Sequence, residues 1–103
     1  MNEEDYETLR QQLQVEMTQK QTLQLQYNEL KRTLDDVEKS GEDEKLFEMV
    51  GSILVSKNKK EISSNFKEKM EILEFRLKTV SKSVDETTKR LQEAQKSLEK
   101  KHI

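Results

Sequence analysis

The side chains that could carry acid–base, thiol or metal chemistry are few or scattered in this chain of 103 residues. There is no cysteine, so disulfides, zinc–thiolate sites and thiol catalysis are excluded. His102 is the single histidine and has no suitable ligand partners near it in the sequence. Most of the 21 carboxylates are spread along predicted helix faces, and no motif gathers them into a site. Without a phosphate-binding glycine loop or a catalytic signature, the sequence predicts a protein that is not an enzyme and uses no metal or cofactor.

The chemistry that the sequence does favour is non-covalent, and it centres on residues 46–55. Seven of these ten residues are apolar, and several are β-branched or aromatic, as is typical of strands. The Gly51-Ser52 pair at the centre suits a two-residue type II′ turn. Such a turn would place three cross-strand pairs in register, namely Val50 with Ile53, Met49 with Leu54, and Glu48 with Val55. The segment therefore predicts a β-hairpin.

Both faces of this predicted hairpin are apolar. An isolated hairpin is marginal in water, since its outer edges offer unpaired N–H and C=O groups. We therefore expect other subunits to complete the sheet, and the alternative is a connector that only caps the adjoining helices. The residues expected to carry assembly are Leu46, Phe47, Met49, Val50, Gly51, Ile53, Leu54 and Val55.

Two long helices are predicted on either side of the hairpin. Apolar residues at heptad spacing run from Tyr6 to Val37, and a second seam follows the hairpin. Glu16 and Lys20 interrupt the first seam as an i,i+4 pair in the favourable Glu-then-Lys order. The predicted fold is mostly α, with both helices forming an antiparallel coiled coil and with hairpins of other subunits completing the sheet. One domain covers 1–103, with helix 1 at about 3–40, the hairpin at about 45–57 and helix 2 at about 59–102.

The helix ends and the charge distribution add two further expectations. Gly41 is placed for a left-handed cap after the first helix, and Asn58 suits the N-cap of the second. Residues 1–56 carry six basic and thirteen acidic side chains, whereas residues 57–103 carry thirteen basic and eight acidic ones. This asymmetry favours an acidic helix beside a basic one, with the charges selecting partner and register more than they stabilise.

The expected location is the cytoplasm. The first residues lack the basic and apolar regions of a signal peptide. No apolar run approaches the roughly 18–20 residues that cross a bilayer. We therefore expect no membrane partner.

The hairpin Phe47-Glu48-Met49-Val50-Gly51-Ser52-Ile53-Leu54-Val55, flanked by two coiled-coil helices, resembles the β-class subunits of the prefoldin family. The single hairpin is similar to the β class, because α-class subunits carry two. Within the β class the hairpin is most similar to the subunit 2 type of eukaryotes, which reads Met-Val-Gly-Gly before an aliphatic residue, Leu and Val. Ser52 stands here in place of the second glycine and still suits a II′ turn.

The resemblance implies a hexamer of two α-class and four β-class subunits, with a platform of β-barrels built from the hairpins. It implies a co-chaperone that works without ATP, holds unfolded proteins at the coiled-coil tips and delivers them to a cytosolic group II chaperonin. Actin and tubulin are the eukaryotic clients that it implies.

Client contact is expected near the termini, which an antiparallel coiled coil brings together. Val15 and Met17 fall off the main seam, so they would offer apolar surface to a client, and methionine adapts to varied partners. The alternative for Leu9, Leu13, Leu91 and Leu98 is that they only close the coiled coil. The full set of candidates is Tyr6, Leu9, Leu13, Val15, Met17, Leu91, Ala94, Leu98 and Ile103.

Two other functions remain open from the sequence. A generic coiled-coil scaffold or tether explains the heptads but leaves the two-faced hairpin unexplained. A nucleic-acid or filament binder would act through the basic second helix, with strongly salt-dependent affinity and no need for the hairpin. We expect no nucleic-acid partner, because paired helices of opposite charge explain the asymmetry more simply.

Overall fold

The computed structural model describes residues 2–41 and 44–101, and Lys101 for its backbone alone. Helix α1 spans Glu3–Lys39, strand β1 Leu46–Val50, strand β2 Ile53–Lys57 and helix α2 Lys59–Lys101. The predicted arrangement of two long helices joined by one β-hairpin is confirmed.

Short polar side chains start both helices by satisfying backbone N–H groups that have no partner in the first turn. Asn2 accepts a hydrogen bond from the Asp5 backbone N–H through Oδ1 at 2.8 Å, and Asp5 Oδ2 accepts one from the Asn2 backbone N–H at 3.2 Å. Asn58 Oδ1 accepts from the Glu61 N–H at 2.8 Å, so the predicted N-cap of α2 is confirmed.

The end of α1 differs from the expectation. Gly41 does not adopt a positive φ, so the predicted left-handed cap is wrong. The Lys59 Nζ instead donates to the backbone carbonyls of Glu38 at 2.8 Å and Ser40 at 2.9 Å. An ammonium group with three donors satisfies the last carbonyls and complements the negative end of the helix dipole. This side chain therefore takes the part that the glycine was expected to play.

The hairpin has the predicted register. β1 pairs antiparallel with β2 in a two-stranded sheet, and the pairs include Val50 with Ile53 and Met49 with Leu54. Gly51 has a φ of 64°, whereas no described residue other than glycine has a positive φ. A type I′ turn needs positive φ at both central positions, so the values at Gly51 and Ser52 fit the predicted II′ turn.

The chain divides into two compact units. The helical unit combines Met1–Gln24 with Phe75–Ile103, and the hairpin unit is Leu25–Glu74. In the hairpin unit, Leu34, Ile62 and Leu73 are buried along the seams. Tyr27 Oη donates to Glu74 Oε1 at 2.9 Å across the two helices. This hydrogen bond raises the pKa of the Tyr27 phenol above its usual 10.0.

Replacing Lys59 by methionine tests the carbonyl cap at the end of α1. Methionine keeps most of the apolar stem but donates no hydrogen bond, so we expect the free energy of unfolding to fall by about 1–2 kcal/mol. Urea unfolding followed by circular dichroism measures the change. Lys60→Met, at the exposed neighbouring position, is the matched control. Equal shifts in the two variants would contradict the cap.

Candidate functional site

The hairpin exposes apolar side chains on both of its faces. Phe47, Met49 and Leu54 lie on one face and are 56%, 60% and 64% exposed. On the other face, near the turn, Val50 and Ile53 are also more than half exposed. Isolated exposed apolar residues are common on proteins, but contiguous ones on a short sheet mark an interaction surface. Of the eight predicted assembly residues, Leu46 is half-buried and the other seven are exposed.

An ion pair lies on the second face of the hairpin, towards the end away from the turn. Glu48 Oε2 lies 3.2 Å from Lys57 Nζ, and both side chains are largely covered. The two residues are diagonal in the ladder, because Glu48 pairs with Val55 and Lys57 with Leu46. The ion pair therefore neutralises the one carboxylate that sequence patterning places among apolar neighbours.

An open groove of about 490 Å³ lies in the helical unit. Its apolar lining comes from both helices and includes four predicted client-binding residues, Tyr6, Leu13, Met17 and Leu91. Met17 is about half exposed, whereas the other three are partly covered because they also belong to the seams. Heptad seam residues thus supply the floor of the groove, and the off-seam Met17 adds surface to its wall.

The remaining predicted client-binding residues lie elsewhere. Leu9 and Ala94 are buried in the helical unit. Val15 is exposed but does not line the groove, and Leu98 is half-buried outside it. Ile103 lies outside the described residues. The groove thus separates Met17 from Val15, which the sequence pattern had treated alike.

A buried polar layer crosses the helical unit at Glu16. The Thr87 hydroxyl faces both carboxylate oxygens of Glu16, at 2.9 Å and 3.0 Å, and Gln12 Nε2 donates to Oε1 at 2.9 Å. Glu16 is 9% exposed and Thr87 is 3% exposed. A carboxylate is tolerated at this depth because donors meet its oxygens.

The pairing of Glu16 with Thr87 was not predicted from the sequence. Glu16 was expected to form a pair with Lys20 along α1, but Lys20 is exposed and Glu16 turns to α2. A signal was nevertheless present, since Glu16 and Thr87 are polar residues at interior positions of two mostly apolar seams. Two polar residues at interior seam positions favour a shared layer, because each removes the other's burial penalty.

Other kinds of site find no support in the described part of the chain. None of the helices there is long and apolar enough to cross a membrane. Within residues 2–41 and 44–101, no group of three or more His, Cys, Asp or Glu side chains is arranged to hold a metal ion. His102 lies outside the described residues.

The fold and its exposed surfaces define a class of protein in which two coiled-coil helices are joined by one apolar β-hairpin. The family described as "Prefoldin subunit" matches residues 1–102. The prefoldin subunit beta of Pyrococcus furiosus is 33% identical over 87 residues, which are 84% of this chain and 74% of that protein. The subunit of the same name from Thermococcus kodakarensis is 34% identical over the same shares.

Solved structures give the same result. The crystal structure of the prefoldin beta subunit from Thermococcus strain KS-1 matches with a TM-score of 0.89 and 31% identity, over 93% of this chain and 84% of that one. The beta2 subunit of that strain matches with a TM-score of 0.79 at 18% identity and supports the fold alone.

This chain belongs to the prefoldin family, whose members are co-chaperone subunits that form oligomers with one another. The predicted resemblance to β-class subunits is confirmed. The relatives reported above are archaeal, so the likeness to the eukaryotic subunit 2 stays a prediction.

Replacing Gly51 by valine tests the turn that holds the two strands in register. A β-branched side chain at a φ of 64° is strained, by roughly 1–2 kcal/mol or more. We expect Gly51→Val to impair assembly with partner subunits, measured by native mass spectrometry, while helix content by circular dichroism persists. Ser52→Val places the same side chain at a position without positive φ and serves as the control. Normal assembly of Gly51→Val would contradict the role of the turn.

A double-mutant cycle tests the polar layer. Thr87→Val removes a donor from the buried Glu16 carboxylate, and we expect the free energy of unfolding to fall by about 1–3 kcal/mol. In Glu16→Leu/Thr87→Val neither partner is left unpaired, so stability should return to that of the original chain or exceed it. Thermal unfolding of Thr87→Val, Glu16→Leu and the double variant measures the coupling. Simple addition of the two single losses would mean that the residues do not act as a pair.

Proposed function

We propose that this chain is a β-class subunit of a hexameric holding complex in which α- and β-class hairpins join into a β-barrel platform. In this proposal residues 1–103 act as one prefoldin-like domain. The observation that carries the proposal is the hairpin with apolar surface exposed on both faces. Its seven apolar residues and the turn at Gly51 would form the assembly surface.

The energetics favour burial of this hairpin by neighbouring subunits. Covering one aliphatic or aromatic side chain contributes about 1.5–3 kcal/mol. Several such side chains on one hairpin, together with two free strand edges, are enough to hold a stable interface after the entropic cost of association. The Glu48–Lys57 pair would be enclosed with them as a preformed neutral unit.

The second part of the proposal concerns the clients. The groove in the helical unit would hold apolar side chains of non-native proteins, with Leu13, Met17 and Leu91 in contact. Such capture needs neither nucleotide nor covalent chemistry, because it exchanges exposed apolar surface on two partners for buried surface. The complex would then deliver the client to a group II chaperonin in the cytoplasm. For a eukaryotic source, actin and tubulin are the proposed clients.

Native mass spectrometry of the complex purified through this chain from its own cells tests the first part. A hetero-hexamer of small coiled-coil subunits supports the platform. A homodimer, or a monomer without such partners, would contradict it, and the hairpin would then be a connector.

The contrast between Met17 and Val15 tests the second part. Both side chains are exposed in the same helix, but only Met17 lines the groove. We expect Met17→Ser, in the assembled complex, to raise the dissociation constant for a chemically unfolded client about five- to tenfold, since one apolar contact is lost.

Val15→Ser is the matched control and should change client binding by less than twofold. Fluorescence anisotropy of a labelled client measures both variants, and suppression of client aggregation gives an independent readout. Equal effects of the two substitutions would place the capture surface outside the groove. Removal of residues 1–17 should reduce holding while assembly persists, and unchanged holding would contradict capture at this end of the helices.

A further inference from the structure

We propose that the groove in the helical unit is specific for uncharged, extended polypeptide, and that its glutamine amides hydrogen-bond to the main chain of the client. This inference rests on the proposed holding function and names the kind of segment that would be held. It assigns a role to glutamines of both helices.

The chemistry of the groove lining is unusual for this chain. Charged residues make up 39% of the sequence, yet Arg10 is the one charged residue among the eleven that line the groove. Its guanidinium already faces Glu7 Oε2 at 3.5 Å. The polar part of the lining consists otherwise of uncharged side chains, namely Gln14, Thr18, Gln21, Thr88, Gln92 and Gln95.

Most of these amides are available for a partner. The side chains of Gln14, Gln21 and Gln92 make no hydrogen bond with any residue that the structure describes, and all three are exposed. Gln95 Nε2 lies 3.5 Å from Glu99 Oε1, at the outer limit of a hydrogen bond. The free amides come from both helices, so they border the apolar floor on two sides.

The two threonine hydroxyl groups of the lining, unlike the glutamine amides, already donate hydrogen bonds. Thr18 Oγ1 donates to the Gln14 carbonyl at 2.9 Å, and Thr88 Oγ1 donates to the Val84 carbonyl at 2.7 Å. Their hydrogens are therefore committed to their own helices, and they can only accept. Donors for a ligand in this groove must come chiefly from the glutamine amides, each of which has two N–H groups and a carbonyl oxygen.

This lining fits the polypeptide backbone in an extended conformation. Each peptide unit offers one N–H and one C=O, and in an extended segment neither has an intrachain partner. An amide side chain can meet either group, whereas a helical segment has already paired both. The lining has no carboxylate, and its one cation, Arg10, already faces Glu7 Oε2 at 3.5 Å. A charged client side chain would therefore lose hydration against Leu13, Met17 and Leu91 with little opposite charge in return. The groove therefore favours an extended, uncharged, apolar segment.

Backbone methylation of a peptide ligand tests this assignment in the assembled complex. The probe is a fluorescent, uncharged peptide rich in valine and isoleucine, compared with the same peptide carrying N-methyl groups at alternate residues. The side chains are then unchanged, but half of the N–H donors are removed. We expect the methylated peptide to bind about tenfold more weakly, as the loss of one or two hydrogen bonds implies.

The variant Gln14→Met/Gln92→Met should reduce this difference to twofold or less. Methionine is close to glutamine in length and helix propensity but lacks the amide. Gln11→Met, at an exposed position of α1 that does not line the groove, is the matched control and should keep the full difference. Native mass spectrometry verifies that each variant is assembled.

The outcomes separate this inference from the function on which it rests. Equal affinity of the two peptides for the original complex would overturn it, as would tighter binding of a stapled helical peptide of the same composition. Holding of apolar segments would stand in both cases. If the unmodified peptide failed to bind and Met17→Ser changed nothing, the holding function itself would be wrong. Comparison of the peptides on the original complex needs no variant, so it decides the matter even if a variant fails to assemble.

Discussion

The constraint on which the rest of this structure depends is that a hairpin of two five-residue strands cannot bury its own apolar side chains. Phe47, Met49 and Leu54 share one face, and no second layer among the described residues covers them. Water exposure of these groups is unfavourable, so the chain is most stable when another surface covers the hairpin. The helices on either side, the tight turn at Gly51 and the Glu48–Lys57 pair all fit a subunit rather than an independent domain.

The coiled coil also depends on a small number of apolar residues, which lie in its two seams. A thin apolar seam holds two helices together but leaves little surplus for stability, so polar contacts have a large share in defining the arrangement. The layer at Glu16 and Thr87 lowers the gain from burial at one level, but it is satisfied only when these two residues face each other. Lys59 likewise ties the end of one helix to the start of the next. These contacts specify register more than they add stability.

The proposed client groove also depends on the thin apolar seam of the coiled coil. A coiled coil whose seam residues remain partly exposed offers apolar surface without needing a dedicated pocket. Membership in the prefoldin family agrees with this arrangement, because its members are co-chaperone subunits. Weak apolar contact suits a holding function, since a client must later be released, and the uncharged polar lining would add selectivity for unfolded backbone without strong affinity.

The sequence by itself determined the helices, the strands, the turn and their register. Heptad spacing, Asn58 and the Gly51-Ser52 pair act over a few residues, so their effects are readable from local order. Only the tertiary structure decided which distant groups meet. It replaced the expected Gly41 cap with Lys59, turned Glu16 from Lys20 to Thr87, and set Met17 apart from Val15. The physical reason is that these outcomes depend on the rotation and stagger of one helix against the other, which the summed packing of both seams fixes and no local pattern encodes.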